Sequence, residues 1–365
     1  MGDLFNPENV GLTTALVLVL AVYALQRVGE RLGEDFYDVF KGLLRRLLGR
    51  KPHQPEPAGA EPAALAPTPS APAVPPPLPA REPPAPLADG ERPLIATPAG
   101  AYFRPTFLAE GELARLYRAE LRRTGSDTLE PVVLKIARDA DANTALRNEV
   151  TCLKSELLPE AAQYAKHLPL VIDQFRSAEG NMGVALEALD GLTLEQLRTR
   201  FPAGVDPRHV LWIFRRCLSA LGYVHSRGVL HGNLTPAHIL VRPQDHNIWL
   251  LDWTCSVIRP AETGQGFLAR TPFYCAPEAH EGQRPIPASD LYSLGKCMVY
   301  AFGGDPATDE LPAGVPEPLV RFTRFFLKES PIQRPQDAWE MYIALERIRD
   351  DLYGPHRFVE FVVPD

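Results

Sequence analysis

From Pro52 to Pro93 the chain has no Phe, Tyr or Trp, no hydrophobic period, and proline or alanine at most positions. A stretch of this kind cannot bury enough apolar surface to offset the entropy of ordering it, so residues 52–96 read as an extended, disordered Pro-rich linker. A P-x-x-P docking role near Pro72–Pro79 is the less common alternative. The linker takes a large share of the 38 prolines and cuts the 365-residue chain in two. Behind it, residues 97–353 have the length and apolar content for one large domain with a sizeable core, followed by a tail over 354–365.

In front of the linker, Val10 to Leu25 is uncharged and almost wholly apolar. At about 1.5 Å per residue it is slightly short for a hydrocarbon core of roughly 30 Å, but Phe5 and a snorkelling Arg27 extend its reach. A cleaved signal peptide competes with this reading, but Asp3 and Glu8 and the lack of Lys or Arg are wrong for its n-region. The expectation is a single transmembrane helix over 10–26 behind a short extracytoplasmic stretch, 1–9. Arg27, Arg31, Lys41, Arg45 and Arg46 follow the span, which puts everything after it on the cytoplasmic side. Within 27–51, Phe36, Phe40, Leu43 and Leu47 recur at helical spacing opposite the basic residues. That pattern fits a basic amphipathic juxtamembrane helix lying on the membrane surface, with a partner helix or a short self-associating coil as alternatives.

A net charge of −7, and no basic run interleaved with aromatics, argue against nucleic acid as a partner. The five cysteines are scattered without a C-x-x-C pair, as expected of reduced thiols.

Inside the domain, short segments follow in an informative order. Glu130-Pro131-Val132-Val133-Leu134-Lys135-Ile136 is strand-like with one lysine among apolar residues, and Leu146-Arg147-Asn148-Glu149-Val150 follows on a helix-forming stretch. Val184 to Leu189 reads as a strand ending at Asp190-Gly191. Then come His231-Gly232-Asn233-Leu234-Thr235-Pro236-Ala237-His238, Asp252-Trp253-Thr254 and Thr271-Pro272-Phe273-Tyr274-Cys275-Ala276-Pro277-Glu278. Ser289-Asp290-Leu291-Tyr292-Ser293-Leu294-Gly295 and Gln333-Arg334-Pro335 close the series.

Over about residues 100–350 this series resembles the eukaryotic-type Ser/Thr protein kinases, including the bacterial ones. The resemblance implies an α+β, bilobal protein-kinase-like fold. It implies that Gly111 marks the glycine-rich loop, Lys135 grips nucleotide phosphates with Glu149 as its partner, and Leu186 is the gatekeeper. Glu187 to Leu189 would form the hinge, so Glu187 and Leu189 join the nucleotide-binding set. Asp252 would be the metal-binding aspartate, Asp290 the holder of the catalytic-loop backbone, and Glu278 with Arg334 a structural ion pair. Leu153, Trp253 and His231 would pack beside the helix of Glu149.

The departures from the family pattern cluster where its chemistry happens. Asn233 stands at the catalytic aspartate, and an amide has no basic lone pair near neutral pH. Thr235 replaces the lysine on the transferred phosphoryl group, and Gly232 the arginine that senses a phosphorylated activation segment. His238 replaces the second metal ligand with an imidazole better suited to zinc or manganese than magnesium. Thr254 replaces a glycine beside Asp252, and the loop Leu108 to Tyr117 keeps only its middle glycine. Val133 and Leu116 add bulk around the adenine position, and Leu240 would close its floor. ATP with magnesium is the cofactor the resemblance implies; the crowding argues against it, and both readings stay open. The expected protein is a membrane-tethered pseudokinase at the inner membrane, holding a protein partner on the cytoplasmic face without phosphotransfer. A nucleotide-gated switch, or an unconventional transferase using Lys135, Glu149 and Asp252, are the alternatives.

Overall fold

The structure, a computed structural model, describes residues 92–157, 164 and 166–364. The expected membrane span, the juxtamembrane helix and nearly all of the linker lie outside the described residues. Among the described residues no helix is long and apolar enough to cross a membrane.

The first lobe is a six-stranded antiparallel sheet in the order β1-β2-β3-β4-β6-β5. Its strands are β1 (Ile95–Thr97), β2 (Gly100–Glu110), β3 (Ala114–Arg123), β4 (Leu129–Ala137), β5 (Val171–Arg176) and β6 (Met182–Glu187). Ile95 and Ala96, the last residues of the expected linker, belong to β1, which pairs Ile95 with Tyr102. Composition placed them in the linker because a three-residue edge strand carries no period of its own. β4 alternates, with Val132 and Leu134 buried on one face in a cluster with Tyr102, Leu121 and Phe175. Lys135 points the other way, toward helix α1 (Ala142–Thr151).

α1 continues into a π-helical turn over Cys152–Leu157. Glu149 lies on α1 and Leu153 on the wider turn that follows it, and both are fully buried.

The second lobe is mainly helical: α2 (Leu194–Arg200), α3 (Pro207–Ser226), α4 (Pro260–Thr263), α5 (Pro277–His280), α6 (Pro287–Ala301), α7 (Glu317–Phe326) and α8 (Ala338–Tyr353). α3 starts where Asp206 accepts from the Arg208 amide at 2.8 Å and Pro207 occupies the first turn. It buries Val210, Ile213, Phe214, Cys217, Leu218, Leu221 and Val224 as the spine of the lobe. Gly222 lets α8 approach, since a Cβ there would meet the Trp339 ring at 2.5 Å. Short ladders β7 (Leu192–Thr193), β9 (Ile239–Arg242) and β10 (Asn247–Leu250), and β8 (Val229–Leu230) with β11 (Val257–Ile258), present the loops between them to the first lobe. The tail after Tyr353 forms no strand among the described residues; it covers a groove instead, with Phe361 buried against His209 and Phe201.

Candidate functional site

Lys135, Glu149 and Asp252 come together from β4, α1 and the loop after β10. Lys135 Nζ lies 2.9 Å from Glu149 Oε2 and 2.7 Å from Asp252 Oδ1, with Lys135 and Glu149 both buried. Burial disfavours the Lys135 ammonium, but the two carboxylates outweigh it and hold its pKa above the usual range. Burial likewise works to raise Asp252, and Lys135 and then His238 overcome it, keeping that carboxyl well below the usual carboxylate range. Glu149 Oε1 also accepts from the Trp253 amide at 3.1 Å, so α1 is tied to the Asp252 loop. Asn148 reinforces the tie by donating to the carbonyls of Thr254 and Ser256.

Both carboxylate oxygens of Asp252 are engaged. Oδ1 accepts from Lys135 and from the Thr254 hydroxyl at 2.6 Å. Oδ2 faces His238 Nε2 at 3.3 Å. Asp252 itself sits in the left-handed region at φ 60°. Thr254, which stands where the family has a mobile glycine, therefore acts as a clamp. His238 is fixed in turn, its Nδ1 donating to the Asn233 carbonyl at 2.7 Å. The other ring nitrogen of His238, the imidazole that stands in place of an oxygen ligand, is turned onto Asp252. Among the described residues no three His, Cys, Asp or Glu groups gather to hold a metal ion. Lys135 would hold the phosphates of ATP, and Asp252, paired here with Lys135, Thr254 and His238, is the carboxylate that would meet magnesium.

Asn233 sits where a base would act. Its Oδ1 accepts the Thr271 hydroxyl at 2.6 Å, which leaves its NH₂ as the outward group, a donor. Thr235 is buried and brings no charge. At Gly232 the chain has φ 75°, and a Cβ would lie 2.3 Å from the Cys255 carbonyl, so no arginine fits this backbone.

The nucleotide face carries the predicted bulk. Across the ladders Leu116 pairs with Lys135 and Lys135 with Val184, while Val133 pairs with Leu186. Leu116, Val133, Leu186 and Lys135 consequently share one face of the sheet. Leu240, from β9 opposite, is buried. Gly111 lies at the tip of the β2–β3 hairpin, its amide donating to Ala114 at 2.8 Å and its carbonyl accepting from Arg138 at 3.3 Å. Glu110, beside it, pairs with Arg115 at 3.2 Å. In the hinge, Glu187 is turned toward Leu170, accepting its amide at 2.9 Å, and Leu189 is half-buried in the connection to β7.

Beneath the loop the supporting contacts converge on Asp290 and Glu278. Asp290 accepts from the amides of His231 at 2.8 Å and Gly232 at 2.9 Å, and meets His225 Nε2 at 2.9 Å. Burial works to raise its pKa, but His225 and the other donors keep it low. His231 contacts the Leu251 carbonyl at 2.9 Å and packs on Trp253 at 4.6 Å, and burial pushes its pKa down to about 4. Arg334 grips Glu278 with two bonds of 2.7 and 2.8 Å, both residues being buried. Sequence reasoning missed His225, Asn148, Thr271 and the clamping role of Thr254. His225 was legible as a lone polar group in the last turn of an apolar helix; the others depend on contacts distant in sequence.

The family model described as the protein kinase domain matches residues 107–311. Serine/threonine-protein kinase pkn3 of Myxococcus xanthus is 31% identical over 220 residues, which is 57% of this chain and 38% of that protein. Serine/threonine-protein kinase D of a Synechocystis strain is 23% identical over 241 residues, 60% of this chain and 46% of that protein. Serine/threonine-protein kinase PknI of Mycobacterium tuberculosis is 30% identical over 144 residues, 38% of this chain and 22% of its own length. The chain thus spans less than half the length of these relatives.

Proposed function

The chain belongs to the protein kinase domain family, and on that premise we propose that it is a pseudokinase: a kinase fold that binds and positions a protein partner without transferring phosphate. The observation that carries this reading is Asn233, whose one basic-looking oxygen is taken by Thr271 and whose remaining group is a donor. A general base typically contributes 10²–10⁴-fold, and stabilisation of the transferring phosphoryl group usually more. Here the base and the lysine are absent, and Asp252 is held by Lys135, Thr254 and His238. The relatives described above carry the names of serine/threonine kinases, and Asn233 and Thr235 are where this chain departs from that family's pattern.

The apolar run over 10–26 and the basic residues after it support anchorage in the inner membrane, with the domain on the cytoplasmic side. The Pro-rich linker would give a high local concentration for a partner at that face.

A second reading, a nucleotide-gated switch, is favoured by the intact Lys135–Glu149 pair. Lys135 would hold the phosphates of ATP, and binding would shift a partner-competent conformation. Melting the protein with ATP, with and without magnesium or manganese, separates the two. No shift in Tm supports the scaffold; a shift abolished by Lys135→Met, with no transfer of label from ATP, supports the switch.

A further inference from the structure

Far along the second lobe from the cleft, α3, α8 and the tail after Tyr353 enclose a cavity of about 270 Å³. Four arginines line it, Arg208, Arg215, Arg349 and Arg357, and Glu346 is the one carboxylate among the lining side chains. Glu346 Oε1 serves two of them, at 2.6 Å from Arg215 Nε and 2.9 Å from Arg349 Nη1. Asp206 meets Arg208 and Asp350 meets Arg349 from outside the lining, and Arg357 makes no ion pair among the described residues. The cavity therefore carries an excess of positive charge around a single shared oxygen.

Three buried polar atoms in its wall lack hydrogen-bond partners, Arg349 Nε, His246 Nε2 and, despite its close ion pair with Glu346, Arg215 Nε. His246 is only 8% exposed, and its ring is held between Trp212 at 4.1 Å and Phe358 at 4.5 Å. The stack fixes the plane of the ring. His356, also in the wall, has its pKa lowered by burial and then by Arg215 and Arg349, as expected where guanidinium groups converge. Buried nitrogens without partners are costly unless something else satisfies them.

We propose that this cavity binds a phosphomonoester, its dianionic phosphoryl group held by Arg349, Arg215 and Arg357. A tetrahedral dianion offers acceptor oxygens in several directions at once, which suits guanidinium forks arriving from two helices and the tail. The volume accommodates a phosphoryl group and a short stem, with the stem reaching His246. Residues 354–359 form one wall, so an occupied cavity holds the tail against α3 and α8.

The same chemistry is presented by a free phosphorylated compound and by a phosphorylated side chain. Calorimetric titration of the full chain in detergent tests the site with inorganic phosphate, a short phosphothreonine peptide and its unphosphorylated form. Binding of phosphate or of the phosphopeptide is expected, weakened at least ten-fold by Arg349→Gln and by Arg357→Gln, and unchanged by Arg321→Gln on a remote surface. Arg357 is exposed, so its loss tests the site without testing the fold. A phosphopeptide tighter than phosphate points to a modified side chain, and equal affinities point to a free compound. The proposal is overturned by the absence of binding to either probe, by equal binding of the unphosphorylated peptide, or by binding indifferent to both substitutions.

Discussion

Two layers of the second lobe lie a few ångströms apart and have met opposite fates. In the lower layer Asp290 gathers the amides of His231 and Gly232 with His225, and Glu278 grips Arg334. In the upper layer Asn233, Thr235 and His238 stand where a base, a cation and a metal ligand would act, and Asn233 and His238 are turned to structural tasks. Thr271 caps Asn233, His238 ties Asn233 to Asp252, and Thr254 clamps Asp252. The contrast separates what the fold needs from what the reaction needs: buried ionic contacts are kept because losing one partner is costly, whereas surface chemistry can be exchanged for local hydrogen bonds.

The lower layer should break hardest. Glu278→Gln leaves Arg334 buried beside a neutral amide, and a loss of about 3–5 kcal/mol is expected in denaturant unfolding. An unchanged midpoint would mean that the pair is dispensable. Asp290→Asn should cost somewhat less, about 2–3 kcal/mol, because the amide oxygen still accepts one backbone bond.

Acid should find the buried histidines of the domain. Burial pushes His167, His231 and His246 each down to about 4, against about 6.5 in an unfolded chain. Between those values the unfolded state binds more protons, so stability is full above about pH 6.5 and falls as pH drops toward 4. Tm measured from pH 7 to 4.5 should decline, and His231→Phe should flatten part of that slope. A Tm independent of pH in this window would contradict the buried neutral histidines.

The upper layer should break softly. Asn233→Ala removes the Thr271 bond, at about 1 kcal/mol, and Thr254→Gly frees Asp252 at a similar cost. If either substitution unfolded the domain, the division between the layers would be lost.

Much of the supporting frame was legible. Lys135 and Glu149, Asp252, Asp290, and Glu278 with Arg334 stand in motifs that resemble the kinase pattern, and the structure brings Lys135 to Glu149 and Asp252, Asp290 to the His231 amide, and Glu278 to Arg334. The upper layer was legible only as a set of missing groups. A histidine at 238 reads as an imidazole in place of an oxygen ligand, and its bond to the Asn233 carbonyl depends on the loop's three-dimensional path. Gly232 reads as a lost arginine, yet the structure puts the backbone in a left-handed region against Cys255, where no side chain fits. The π-helical turn after Thr151 had no sequence marker, since its apolar residues suit an α-helix equally well.

Transfer of label from γ-labelled ATP, with magnesium or manganese, tests the central claim most directly. The full chain is expected to transfer no label to itself or to a general protein substrate. Transfer that is lost in Asp252→Ala would contradict the claim and make the domain a working kinase built without the usual base.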